Sequence, residues 1–173
     1  MELREMISLG GIALLVFIAV TILRRQAPVL DLVDSPDGKL KRHQGAVPMV
    51  GGIGITIGLL PVFAVMIMQD SGLAWAVAGA LLLVIVGLID DRRSLGVGVR
   101  FASQFLVALM LVIGADVQIQ TLGNLLGFGA EGLGNWGVLL SIVGVVGVIN
   151  AVNMIDGIDG LAASLALVTI AGL

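Results

Sequence analysis

The sequence predicts an all-α, polytopic transmembrane bundle, with five complete spans, a truncated sixth and the N-terminus outside. Three observations predict it. The 173 residues are 58% hydrophobic and only 12% charged, with a mean hydropathy of +1.14, well beyond the roughly 45–50% apolar share of soluble domains. The apolar residues form long unbroken runs rather than alternating ones, and lipid admits only helices or closed barrels. The cations gather in just two of the polar segments between those runs.

Each element follows in turn. The first run, Ile7–Leu23, is followed by Arg24 and Arg25 rather than by a small-residue cleavage site. It therefore reads as an uncleaved anchor and not as a signal peptide. Pro48–Met68 and Leu73–Ile89 come next, each near the length of about 20 residues that a crossing needs. Phe101–Ala115 is shorter and carries Ser103 and Gln104, yet the loops on either side require a crossing there. Trp136–Val152 is the fifth run, and a sixth opens at Leu161. The whole reads as one integral membrane domain.

Charge orients the spans. Of the nine Lys and Arg, Arg24, Arg25, Lys39, Lys41 and Arg42 lie between the first two spans, and Arg92, Arg93 and Arg100 follow the third. Arg4 alone falls on the other side. The positive-inside rule makes the basic side cytoplasmic. Trp75 and Trp136 then sit at the outer ends of spans, where indoles favour the interface. The net charge of −3 argues against bulk nucleic-acid binding, and the absence of cysteine excludes disulfides and thiolate metal sites.

Three polar clusters share the basic side. Asp90-Asp91 ends the third span, and ionisable groups at a membrane boundary are costly enough to suggest function. Neighbouring acids on a helix point about 100° apart, so the two cannot share one role. The plainer alternative is a topogenic Asp/Arg cluster. The second cluster, Asn150-Ala-Val-Asn153-Met-Ile-Asp156-Gly-Ile-Asp159-Gly160, repeats polar residues every three positions, which keeps them on one helical face. Amide and carboxylate oxygens are hard ligands suited to Mg²⁺ or Mn²⁺. A capped helix end with a glycine turn is the plainer alternative. The third, Lys39 to His43, stands just before the glycine-rich helix start at Gly51-Gly52. Cations beside exposed helix-terminal N–H groups make an anion site; anionic-lipid contact is the plainer alternative. Gly54 and Gly58 form a GxxxG packing pattern, weak as evidence of anything more.

Taken in order, Lys41-Arg42-His43 with Pro48-Met-Val-Gly-Gly, then Asp90-Asp91, then Asn153-Met-Ile-Asp-Gly-Ile-Asp159-Gly, resemble the polyprenyl-phosphate N-acetylhexosamine-1-phosphate transferases, glycosyltransferase family 4. The spelling Lys41-Arg-His-Gln-Gly45 is most similar to the bacterial branch that starts O-antigen and enterobacterial common antigen synthesis. The resemblance implies transfer of N-acetylhexosamine 1-phosphate, N-acetylglucosamine 1-phosphate in this branch, from a UDP-N-acetylhexosamine to undecaprenyl phosphate. UMP is released, with Mg²⁺ or Mn²⁺ as cofactor, at the cytoplasmic face of the bacterial inner membrane. It implies catalytic roles for Asp90, Asp91, Asp156 and Asp159, substrate contacts from Lys41, Arg42, His43, Gly51 and Gly52, and metal ligation by Asn153 and Asp91. The implied partners are the two substrates and the lipid bilayer, with no nucleic acid, and a homodimer is allowed. The family's longer chains carry a further metal-binding aspartate and a histidine motif in later loops, and this sequence has no His after His43. The chain is therefore expected to be an N-terminal portion. Two rival readings stay open on sequence grounds: a non-catalytic fragment, and a cation transporter that uses the membrane-edge carboxylates.

Overall fold

A computed structural model describes residues 3–34, 47–124, 132–155 and 160–172. The chain is an all-α bundle of α1 (Leu3–Gln26), α2 (Gly51–Gln69), α3 (Ser71–Arg93), α4 (Val97–Leu109, prolonged by a π turn over Met110–Gly114), α5 (Asn135–Ile155) and α6 (Leu161–Ala171). Among the described residues, five helices are long and apolar enough to cross a membrane. The protein is a multi-pass membrane protein.

The expected spans hold to within a few residues, with one informative difference. The fourth crossing runs from Val97 to Gly114, 18 residues. Arg100 is therefore inside the first turn of a spanning helix, not in the loop before it. A charge there is tolerable because it is close to the interface and has an acidic partner.

From α1 to α5, successive helices run antiparallel. A Cβ added to Gly54 would collide with Val20, and one added to Gly58 would collide with Val16. As α2 advances, its α1 neighbour recedes, so the GxxxG pattern is the contact face between these two helices. Asp70 alone joins α2 to α3, and its carboxylate caps α3 by accepting from the Gly72 N–H at 2.6 Å. On α3 and α4, Gly79 meets Val107, and Trp75 lies against Gly114 of the π turn. Between α4 and α5, Ala108 and Val112 pack on Ile142 in a buried cluster.

The serial antiparallel order sorts the polar residues by end. Arg24, Arg25, Gly51, Asp90 to Arg93, Arg100 and Asn153 share the basic end. Asp70, Trp75 and Trp136 share the other. Trp136 is 73% exposed and Trp75 half exposed, as interfacial anchors would be. At the basic end two short strands, β1 (Val33–Asp34) and β2 (Val47–Pro48), pair antiparallel. They bring the two ends of the basic segment together beside the start of α2. Ala27, Leu32 and Val50 are buried beneath them, with Leu88 of α3 packed on the same cluster.

Candidate functional site

The last turn of α3 organises the basic end. Ser94 adopts a left-handed conformation (φ 45°) and donates its N–H to the Asp90 carbonyl at 2.8 Å. The chain then folds back within three residues into α4. Asp90 holds this reversal: its Oδ1 accepts from the Leu95 N–H at 2.7 Å and pairs with Arg100 Nη2 at 3.1 Å. Among the described residues Oδ2 takes no partner. Arg92, also in the last turn, donates to the Leu30 carbonyl at 3.1 Å and ties α3 to the turn after α1.

The two adjacent carboxylates face different chambers, as their angular separation requires. Asp90 lines a cavity of about 180 Å³ with Arg100, Ser103, Gln104, Ile149 and Asn153. Asp91 lines a second, of about 270 Å³, with Met49, Gly52 and Ile53 at the start of α2. Leu83 and Gly87 border both. The resemblance paired Asp91 with Asn153 as metal ligands; the structure brings Asp90, not Asp91, to the cavity that Asn153 lines. The cause is helical phase. Val86 and Asp90, one turn apart, line the cavity shared with α4 and α5, whereas Leu88 and Asp91 line the one shared with α2.

Polar residues recur at helical spacing on both walls. Arg100, Ser103 and Gln104 lie on α4, and Asn150 and Asn153 on α5. Asn150 Nδ2 donates to Gln104 Oε1 at 2.7 Å and to the Val146 carbonyl at 2.8 Å, and Gln104 Nε2 returns a longer contact of 3.4 Å to Asn150 Oδ1. Gln104 is only 8% exposed. Asn153, one turn further on, is exposed, and among the described residues no side-chain hydrogen bond holds its amide. Arg100 Nε is buried without an acceptor there. Leaving such a donor unsatisfied costs about 1–3 kcal/mol, and an acceptor-bearing ligand in the cavity would offset that.

Arg100, Ser103, Gln104 and Asn150 were not among the expected site residues. The signal that finds them is the match of two ladders: Arg100-x-x-Ser103-Gln104 entering one span and Asn150-x-x-Asn153 leaving the next. In antiparallel neighbours these meet.

Gly51 and Gly52 occupy the first turn of α2, and a Cβ on either would enter open space. Packing does not demand glycine there, and the N–H groups of that turn are open to a ligand. Lys41, Arg42, His43, Asp156 and Asp159 lie outside the described residues. No cluster of three or more His, Asp or Glu side chains occurs among the described residues. The donors present are Asp90 Oδ2, the Asn153 amide oxygen and the Ser103 hydroxyl. All are hard oxygens, and they fit an ion that takes one or two carboxylates and completes its shell with water and substrate phosphates. At about 180 Å³ the cavity is smaller than the roughly 300 Å³ at which pockets for whole organic ligands begin. It suits a phosphoryl group and an ion rather than a nucleotide sugar.

Above it, a cleft of about 670 Å³ runs between α3, the π turn and α5. Its walls are almost wholly apolar, and it shares Leu83 and Ile149 with the small polar cavity.

The profile of glycosyl transferase family 4 matches residues 73–173. The undecaprenyl-phosphate alpha-N-acetylglucosaminyl 1-phosphate transferase of Salmonella typhi is 36% identical over 140 residues, covering 81% of this chain and 37% of the relative. The protein of the same name from Yersinia pestis is 36% identical over 121 residues, covering 70% of this chain and 33% of the relative. That from Escherichia coli O157:H7 is 32% identical over 121 residues, 69% of this chain and 32% of the relative. The chain thus matches about a third of the length of these relatives. No solved structure matches it.

Proposed function

Because the chain belongs to glycosyl transferase family 4, we propose that it carries the phosphate-handling end of an undecaprenyl-phosphate N-acetylglucosamine 1-phosphate transferase. The reaction moves N-acetylglucosamine 1-phosphate from UDP-N-acetylglucosamine to undecaprenyl phosphate, releases UMP, and starts O-antigen or related envelope polysaccharide. The observation that carries this reading is one cavity at the basic end of a membrane bundle, lined by Asp90, Asn153 and an under-satisfied Arg100. By the positive-inside rule that end faces the cytoplasm, where the nucleotide sugar is found.

The residues divide the work. A lipid phosphate oxygen attacks the β-phosphorus of the UDP-sugar, and the bond from that phosphorus to the UMP oxygen breaks. The lipid phosphate is already largely ionised near neutral pH, with a second pKa of about 6, so no strong base is required. Direct attack in one step then needs no aspartyl intermediate. Arg100 offers its buried Nε–H to a phosphoryl oxygen, and Asp90 orients Arg100 in turn. Asn153 and the Asp90 carboxylate would hold Mg²⁺ or Mn²⁺. When bound, that ion neutralises the diphosphate and stabilises charge on the departing UMP. Asp91 faces the second chamber beside Gly52 in the first turn of α2, and the open N–H groups of that turn serve the nucleotide phosphates. The apolar cleft leads from the lipid phase toward the polar cavity and accommodates prenyl units.

The test is UMP release by the purified full-length protein. Asp90→Asn and Asn153→Ala are each expected to reduce it at least about 100-fold while membrane insertion stays normal and stability falls by no more than about 1 kcal/mol. Near-normal release from both variants would remove the assignment.

A further inference from the structure

The Gln104–Asn150 pair joins the two walls of the site, α4 and α5, at the inner edge of the small cavity. We propose that these two amides are positioning residues: a hydrogen-bonded clamp between α4 and α5 that sets the placement of Asn153 relative to Asp90 and Arg100. The proposal rests on the transferase reading and deepens it.

Three observations support the clamp. First, the contact is reciprocal, and the donors on Asn150 are both used, on Gln104 Oε1 at 2.7 Å and on the Val146 carbonyl at 2.8 Å. The Asn150 side chain is therefore fixed to its own helix as well as to its neighbour. Second, Gln104 borders the polar cavity one turn from Arg100, and Asn150 stands one turn from Asn153. Gln104 follows Arg100 by four positions, and Asn150 precedes Asn153 by three. Third, the apolar contact that otherwise joins α4 to α5, Ala108 and Val112 on Ile142 with Val146 at its edge, lies further from the basic end. Val146 is seven residues from Asn153, about 10 Å along the helix. Pivoting there, a splay of only about 5° would shift Asn153 by about 1 Å. A misplacement of that size can cost about 100-fold in rate.

Stability alone is a poor explanation for the pair. Interhelical hydrogen bonds in membranes contribute on average only about 0.6 kcal/mol. Apolar side chains of the same shape would hold the helices together nearly as well, so the clamp is expected to matter more for placement than for folding.

The experiment compares wild type, Gln104→Met, Gln104→Met/Asn150→Leu and the exchanged pair Gln104→Asn/Asn150→Gln, all in the full-length protein. Mn²⁺ affinity is read by electron paramagnetic resonance without substrate, and UMP release is followed in parallel. Gln104→Met should weaken Mn²⁺ binding about 10–100-fold, as removal of residues that orient metal ligands does. It should lower kcat about 100-fold and leave the KM for undecaprenyl phosphate within about twofold, since the lipid cleft is untouched. The double apolar variant leaves no amide unpaired and gives the same readout if the single variant fails to accumulate. The exchanged pair should recover Mn²⁺ affinity to within about threefold. Wild-type Mn²⁺ affinity and kcat in Gln104→Met or in the double apolar variant would overturn the clamp while leaving the transferase reading in place. A wild-type protein that releases no UMP from the two substrates would remove that reading itself.

Discussion

Replacing Gly58 by alanine tests the packing that sets α2, and with it the basic segment, against α1. The added methyl would meet Val16 Cγ2 and would come within 3.1 Å of the Val16 backbone nitrogen and 3.2 Å of its Cα. Valine in a helix has one strongly preferred rotamer, so the side chain cannot swing aside without about 0.5–1.5 kcal/mol of strain. The backbone contact then forces α1 outward by a few tenths of an ångström, and overpacking of this kind costs about 1–3 kcal/mol in all. Alanine returns about 1 kcal/mol through its better helix propensity. The net loss for Gly58→Ala should be about 0–2 kcal/mol. Val16→Ala alone should lose about 1 kcal/mol of packing. In the double variant the smaller side chain makes room for the new methyl while the helix-propensity gain remains, so the loss should fall to near zero instead of the additive sum of about 1–3 kcal/mol. Reversible unfolding in mixed micelles measures all three. Additivity to within about 0.5 kcal/mol would show that α1 and α2 do not meet at this pair.

Other substitutions separate the two ends of the bundle. Arg100→Gln should lower UMP release about 100-fold, since it removes a donor to the reacting phosphate. Its Asp90 partner is only partly buried, so the loss of stability should be under about 1 kcal/mol. Equal losses of activity and stability would count against the phosphate role. At the far end, Asp70→Ala removes the cap on α3 and should cost about 1 kcal/mol in thermal unfolding while turnover per folded molecule is unchanged. A selective loss of turnover would mean that the site extends across the membrane.

The spans were legible in the sequence because lipid imposes a length and forbids unpaired backbone, which leaves long apolar runs little alternative. The start of the fourth helix was not. Arg100 looked like a loop charge, and only its Asp90 partner makes a place for it inside the first turn. Gly54 and Gly58 declared a packing face but not its partner, since nothing in a glycine pair says whether Val16 or some other helix lies opposite. Asp90 and Asp91 were separable by angle alone. Which of them faced Asn153 depended on where α2 and α5 stood around α3, and a linear pattern does not contain that. Gln104 read as a polar blemish in a short span, and Asn150 as the first step of a motif. Their meeting across 46 positions follows only from the register of antiparallel helices.

The central claim, that Asn153 and Asp90 together hold a divalent ion on the substrate's diphosphate, is most directly tested by exchanging ligand softness. Asn153→Cys and Asp90→Cys place thiolates where hard oxygens stood, and thiolates select thiophilic ions over Mg²⁺. Each variant should release almost no UMP with Mg²⁺ and should regain a substantial part of its activity with Cd²⁺, under conditions where Cd²⁺ does not improve the wild type. Full activity of both variants with Mg²⁺, or a loss that no thiophilic ion reverses in either, would contradict the account.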